Sequence, residues 1–294
     1  MQLGEKIKRL RSAKLMTQAE LAGSEITRNM LSRIENGAAQ PSIGTIRYIA
    51  ERLNVSPGFL LAEEEEEQLY FKSREVENIK TAYKQGDYRL CRQMCQNSEW
   101  IDDELLLIHA VSCLKVGEEE FNAGNLSKAV EILEESIEYA QQTIYDTSVI
   151  YAEAEAYFDY IPEISMVIYT PSYEELVDIT LDTNEFCVYS KFLSEARDEG
   201  IANVKDAEDR ISSLDDNSPY RLHLSAQVKM DSGKYDEAYH MLHRMLHDGS
   251  LEVPEPMLYV VLRDLERCCK EINDFKGAYE YSESRRALLQ KLMG

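Results

Sequence analysis

Between positions 28 and 33 stand four side chains of types that can read a base pair: Arg28, Asn29, Ser32 and Arg33. A guanidinium forks onto guanine O6 and N7, a carboxamide does the same at adenine N6 and N7, and a hydroxyl serves either base. At the α-helical period these four residues share one face. Leu31 and Ile34, with Met30 adjoining them, fall on the other and mark it for burial. A short helix that buries one face and presents arginines and an asparagine on the other suits the major groove of duplex DNA.

Other constellations offer less. His240, His243 and His247 lie at i, i+3 and i+7, a spacing from which imidazoles can hold Zn²⁺. No Glu-x-x-His arrangement accompanies them, and Met241, Leu242, Met245 and Leu246 supply a core stripe beside them, so a solvated histidine face is the expectation. Cys91 and Cys95 stand at i, i+4 without a neighbouring histidine and read as small buried hydrophobes. The phosphate-binding loop G-x-x-x-x-G-K-[ST], the dinucleotide fingerprint G-x-G-x-x-G and the nucleophile elbow G-x-S-x-G are all missing from the sequence. The chain is expected to be no enzyme and to use no cofactor or metal.

The elements that must position the reading face follow from capping chemistry. Thr17 caps a helix that Glu20 completes as a capping box and Gly23 ends; Thr27 caps the next, which runs to Glu35. Before them, Leu3, Ile7 and Leu10 line a helix over Leu3–Ala13. After them, Ser42 caps a helix buried through Ile46, Ile49, Ala50 and Leu53, and Ser56-Pro57 opens a last one ending near Leu61. The phrases TQAELA, SRIENG and PSIGTIRYIAERLNVSP, taken together, resemble the helix-turn-helix of the Xre/Cro/phage-repressor family over about residues 3–61. That resemblance implies a five-helix lambda-repressor-like DNA-binding domain over 1–62. It implies phosphate contacts by Gln18, Thr27 and Asn36, base contacts by Arg28, Asn29, Ser32 and Arg33, and a structural ion pair between Arg11 and Glu35. Glu25, close to the DNA-facing turn, departs from a favourable pattern because it would weaken a nearby phosphate contact.

Charge divides the chain in the same place. Of its 32 basic and 54 acidic residues, nine and five respectively lie in 1–62, a net of +4. The rest carries −26. A basic head on an acidic body keeps contact with the phosphate backbone in the head. Five glutamates, Glu63–Glu67, mark the junction; residues 63–75 read as an acidic linker running into the first helix of the body. No stretch is long and apolar enough to span a membrane. The first fifteen residues lack the apolar core of a signal peptide, and the six cysteines lack a disulfide-framework or metal-ligand spacing. A cytoplasmic protein with reduced thiols is the expectation.

The body, 76–294, reads as helix nearly throughout and repeats one phrase: AYKQGDYRLCRQMCQ at 82–96, EFNAGNLSKAVEILEESI at 120–137, MDSGKYDEAYHMLHRML at 230–246 and EINDFKGAYEYSESRRALL at 271–289. Each is a helix end, a turn on Gly or Asn, an aromatic or Leu, and a small residue on the next helix: Cys91, Ala129, Ala238 and Ala278. Weaker copies surround Leu176 and Ala207, giving spacings of 38, 47, 31, 31 and 40 residues. The pattern resembles tetratricopeptide repeats, about six helix pairs, and such an array exposes an extended concave face. Of the tyrosines clustered between Tyr139 and Tyr160, Tyr157 and Tyr160 are the candidates for that face; together with the amide of Asn122 they are the expected peptide-binding residues.

An Xre-type head on a tetratricopeptide-like body resembles the peptide-pheromone receptors of Gram-positive bacteria, the Rgg/PlcR/PrgX group. The resemblance implies a homodimeric transcription regulator whose heads take two operator half-sites and whose repeats sense a short peptide. Two alternatives stay open from the residues: repeats that bind a protein partner such as an antirepressor, and an adaptor that binds peptide or protein but no DNA.

Overall fold

The computed structural model describes residues 3–62, 64–164 and 184–292, without the side chains of 64–71. Among the described residues every regular element is helical. The chain forms two compact units, Met1–Ile79 and Lys80–Gly294.

The first unit contains α1 (Leu3–Ala13), α2 (Gln18–Ala22), α3 (Arg28–Glu35), α4 (Ile43–Arg52) and α5 (Pro57–Leu61). Four of the five begin on a capping side chain: the hydroxyls of Thr17, Thr27, Ser42 and Ser56 accept from the backbone N–H of Glu20, Met30, Thr45 and Phe59. At α2 the capping box is complete, since Glu20 accepts from the Thr17 N–H at 2.6 Å. Ile7, Leu21, Leu31, Ile34, Ile49 and Phe59 form the fully buried centre. Met30 departs from expectation: it is exposed beside that core, because the turn before α3 directs Leu31 and Ile34 inward instead. Two contacts make the packing tight. A Cβ at Gly4 would strike the Ile34 carbonyl oxygen, so α1 crosses α3 at backbone distance. Lys6 is buried, and its ammonium donates to the carbonyls of Phe59 at 2.9 Å and Ala62 at 2.8 Å, a cation at the negative end of α5.

Residues Glu64–Lys84 form one helix, α6. There follow α7 (Tyr88–Gln96), α8 (Asp103–Asn122), α9 (Leu126–Ala140), α10 (Ser148–Ile164), α11 (Glu185–Glu199), a 3-10 turn at Ile201–Asn203, α12 (Ala207–Ser213), α13 (Pro219–Asp231), α14 (Tyr235–His247), α15 (Glu255–Glu271) and α16 (Phe275–Leu292). Successive helices pair as α7 with α8, α8 with α9, α10 with α11, α13 with α14, and α15 with α16; α15 also reaches α8 and α10. The repeated turns share one backbone conformation. Gly86, Gly124, Gly233 and Asn273 hold φ of +75°, +80°, +72° and +65°, the left-handed region that Gly enters freely and Asn better than most. The small residues that follow, Cys91, Ala129, Ala238 and Ala278, are all buried where paired helices approach. The weak copy at Ala207 is no helix pair: it opens the seven-residue α12, after the 3-10 turn. The copy at Leu176 lies outside the described residues.

Two glutamates tie the first helices of this array together. Glu120 of α8 accepts from Arg89 of α7 (2.6 Å), Lys128 of α9 (2.8 Å) and Asn125 (2.8 Å). Glu135 of α9 accepts from Arg92 and Gln96 of α7, the latter at 2.8 Å, and its Oε1 stands 3.3 Å from His109 Nε2 of α8. Hydrogen bonds from Lys128 and its other partners bring Glu120 down to about 2. For Glu135 the donors outweigh the opposing effect of burial and bring it likewise to about 2. A carboxylate depressed in the folded state stabilises above its unfolded pKa of about 4.3, and that contribution disappears as pH falls to the folded value. Glu135→Gln is therefore expected to lower the melting temperature of the second unit most at pH 7. Its deficit relative to the unsubstituted protein should shrink between about pH 4.3 and pH 2, as followed by calorimetry across that range.

Candidate nucleic-acid interface

The candidate interface is built on α3 and on what fixes its back. Leu31 and Ile34 anchor the helix in the core, and Glu35 is pulled in with them, its side chain 1 % exposed. A carboxylate so placed must be satisfied. Arg11 of α1 supplies a fork, Nε to Oε1 at 2.7 Å and Nη2 to Oε2 at 3.1 Å, and Gln18 of α2 adds Nε2 to Oε2 at 2.8 Å. The third edge of the Arg11 guanidinium donates to the Met16 carbonyl at 2.8 Å, holding the α1–α2 connection. The bond to Glu35 raises the Arg11 pKa further above its ordinary value. One carboxylate thus fixes α3 against α1 and α2 together.

The far side of α2 is held from α4. Tyr48 donates to the Ala22 carbonyl at 2.9 Å and Arg52 to the Glu20 carbonyl at 2.6 Å, while the Arg52 guanidinium lies over the Tyr48 ring. Gly23 ends α2 at φ +57°, and a Cβ there would strike the Tyr48 hydroxyl. The tight turn into α3 therefore needs glycine on two counts.

With its back fixed, α3 turns Arg28, Asn29 and Arg33 outward, and Ser32 is half-buried beside them. Arg28 and Asn29 make no hydrogen bond or ion pair with other described residues, which leaves a full guanidinium fork and a full carboxamide. Arg33 is tethered only through one long bond, Nη2 to the Ala38 carbonyl at 3.4 Å. Thr27, the N-cap, accepts from the Met30 N–H at 3.1 Å and keeps its hydroxyl proton to give. Asn36 is exposed at the end of α3. Gln18 spends one amide hydrogen on Glu35 and retains the second, so the residue expected at phosphate is already held in place by the hub. The family resemblance implies the Arg11–Glu35 pair but not its third member, Gln18. The signal was present: Gln18 opens α2 just after its N-cap, one turn from the Arg11–Met16 segment.

Residues 7–60 match the family model described as Helix-turn-helix. The head is a helix-turn-helix domain. Within it α2 and α3 are the first and second helices of the motif. No curated protein matches the chain. Among solved structures it is similar to Bacillus thuringiensis PlcR in complex with the peptide PapR7 and DNA, at 15 % identity over 99 % of this chain and 98 % of that one, with a TM-score of 0.23. It is also similar to ComR from S. thermophilus in complex with DNA and its signalling peptide ComS (16 % identity, 89 % and 99 % covered, TM-score 0.26). The PrgX/iCF10 complex is a third (13 % identity, 92 % and 97 % covered, TM-score 0.27).

The residues expected to bind peptide do not form one surface. Tyr157 and Tyr160 are 3 % and 1 % exposed. Tyr157 stacks on Phe186 at 4.4 Å and meets Phe121 at 4.9 Å; Tyr160 packs on Tyr189 at 5.6 Å. Both are packed as core aromatics rather than presented on an open face: an aromatic at repeat spacing fills the gap between helix pairs. Asn122 is exposed at the last position of α8. The three histidines of α14 stay at the surface or half-buried, with His243 stacked on His247 at 4.0 Å. Among the described residues no helix is long and apolar enough to cross a membrane.

Breaking the Glu35 hub leaves the Arg11 guanidinium without its charged partner. Glu35→Gln removes the charge opposite Arg11 while keeping the shape. The head is expected to lose about 3 kcal/mol, seen as a drop of more than 10 °C in its melting transition.

Proposed function

We propose that this protein is a sequence-reading transcription regulator: its helix-turn-helix head binds operator DNA, and its helical-pair body joins two copies and senses a short peptide. The observation that carries the first part is the free face of α3. Arg28 and Asn29 stand exposed and unpaired beside Ser32 and Arg33, on a helix whose opposite face is fixed by Glu35, Arg11 and Gln18. Unpaired groups of these types on a rigid helix are what direct readout needs, since a bidentate fork discriminates bases only when its approach angle is held. Thr27, Asn36 and the remaining amide hydrogen of Gln18 supply neutral donors for phosphate at both ends of the reading face.

The peptide-sensing part rests on the form of the body and on the resemblance drawn from its sequence. Stacked antiparallel helix pairs present extended surface to a partner. Two heads on a twofold-related pair of copies would take half-sites about one helical turn, roughly 34 Å, apart. A peptide changes DNA affinity in such an assembly only through its differential affinity for the two arrangements of the heads.

The test uses duplex fragments flanking the protein's own gene, retarded by the full-length protein across a salt series. The double substitution Arg28→Ala/Asn29→Ala is expected to cost roughly thirtyfold or more in affinity for the bound fragment. Binding to random duplex should change far less, because it depends on phosphate contacts. Weak binding that is equal in both proteins would remove the sequence-reading claim.

A further inference from the structure

Beside the aromatic core of the body lies a cavity of about 400 Å³, within the size range of ligand sites. Four helices build it. Glu163 comes from α10, Arg197 from α11, Gln227 and Asp231 from α13, and Arg263 and Arg267 from α15; Leu193, Ala196 and Ile201 supply apolar wall. Three arginines lining one cavity stand out in a body whose net charge is −26.

Two of the three already hold a carboxylate. Glu163 is half-buried, its side chain 8 % exposed, and each of its oxygens has its own guanidinium: Arg197 Nη1 to Oε1 at 3.1 Å and Arg263 Nη1 to Oε2 at 3.1 Å. Arg263 is fixed from behind by Asp264, whose Oδ1 accepts its Nε at 3.2 Å. Asp264 is itself part of a buried chain. Its Oδ2 accepts from Gln227 Nε2 and from His223 Nε2, the latter at 3.0 Å, and His223 Nδ1 meets the Tyr189 hydroxyl at 2.9 Å. Because a carboxylate only accepts, this chain sets the Gln227 amide: the nitrogen faces Asp264 and the carbonyl oxygen is left without a partner in the described chain. Arg267, one turn along α15 from Arg263, is exposed and has no ion pair or hydrogen bond among the described residues. The cavity therefore offers one unused guanidinium, two that are oriented but have N–H groups to spare, one free amide acceptor, and an apolar wall.

We infer that this cavity takes the C-terminal carboxylate of a short peptide, an assignment that rests on the reading of the body as a peptide sensor and names its site. Arg267 binds the terminal carboxylate, Arg197 lies within reach of the same group, and the Gln227 carbonyl accepts the last backbone N–H. Leu193, Ala196 and Ile201 receive an apolar terminal side chain. A planar, bidentate arginine fork suits a carboxylate better than the point charge of a lysine. An incoming carboxylate also competes with Glu163, through which α10, α11 and α15 meet by charge. Peptide entry would thereby loosen or tighten three helices at once.

Arrays of random heptapeptides, tethered through the N-terminus and ending in a free carboxylate, test this against matched arrays ending in an amide. Labelled full-length protein is the probe, with Arg267→Ala and Arg267→Lys beside it and a melting curve to show that each is folded. Expected is binding to a subset of free-carboxylate peptides with apolar last residues. The amide should weaken it about tenfold or more, Arg267→Ala should weaken it similarly, and Arg267→Lys should restore it only in part. Equal binding to both arrays, untouched by Arg267→Ala, would overturn the terminal-carboxylate assignment and leave peptide sensing standing. Selection of Asp or Glu at one fixed position, with no preference for the free terminus, would overturn it in favour of an acidic side chain. Binding to no peptide on either array would overturn this inference together with the peptide-sensing reading.

Discussion

One buried carboxylate determines what the head can do. Glu35 sits at the end of α3 with almost no exposure, so its charge must be answered from within the protein. The answer comes from two other helices, Arg11 of α1 and Gln18 of α2, and between them they fix three helices at one point. Around that point the remaining contacts are consistent in direction. Gly4 lets α1 reach α3 at backbone distance, Gly23 lets the turn pass under Tyr48, and Arg52 secures α2 from α4. The same residue type that costs most to bury is placed where its satisfaction defines the angle of the recognition helix. Buried ionic groups contribute little net stability relative to apolar packing but strongly penalise arrangements in which they go unpaired.

The body uses carboxylates in a related way at larger spacing. Glu120 and Glu135 each gather donors from successive helices, and Glu163 joins α10, α11 and α15 through two arginines. A helical-pair array stabilises mainly through neighbour contacts. Charged ties of this kind add specificity to which helices meet, and the contact of α15 with α8 and α10 shows the array turning back on itself. The aromatic set around Phe121, Tyr157, Phe186 and Tyr189 packs α8, α10 and α11 together.

What was legible in the sequence follows from the range of the interactions involved. Caps, turns and helix faces in the head are local, and Thr17, Thr27, Ser42 and Ser56 announced four helix starts that the structure contains. The repeated turns were legible for the same reason, since positive φ at Gly86, Gly124, Gly233 and Asn273 leaves its mark on residue type. The fate of an aromatic in the body was not legible. Whether Tyr157 lines a groove or fills a core depends on how α8, α10 and α11 close around it, which no local pattern records. The arginine cavity was hidden likewise, because Arg197, Arg263 and Arg267 are distant in the chain and converge only through tertiary packing. Met30 shows the limit at short range: an apolar residue next to a buried stripe was read as part of it and stands outside.

The account stands or falls on the link between the Glu35 hub and base reading. The most direct measurement is the ratio of specific to random-duplex affinity for Glu35→Gln, taken well below its melting temperature so that the head is folded. The account predicts that random-duplex binding is kept or slightly strengthened by the lost negative charge, while the ratio falls about tenfold or more as α3 loses its fixed angle. A folded Glu35→Gln protein with an unchanged ratio would contradict it, and would place the control of readout outside the hub.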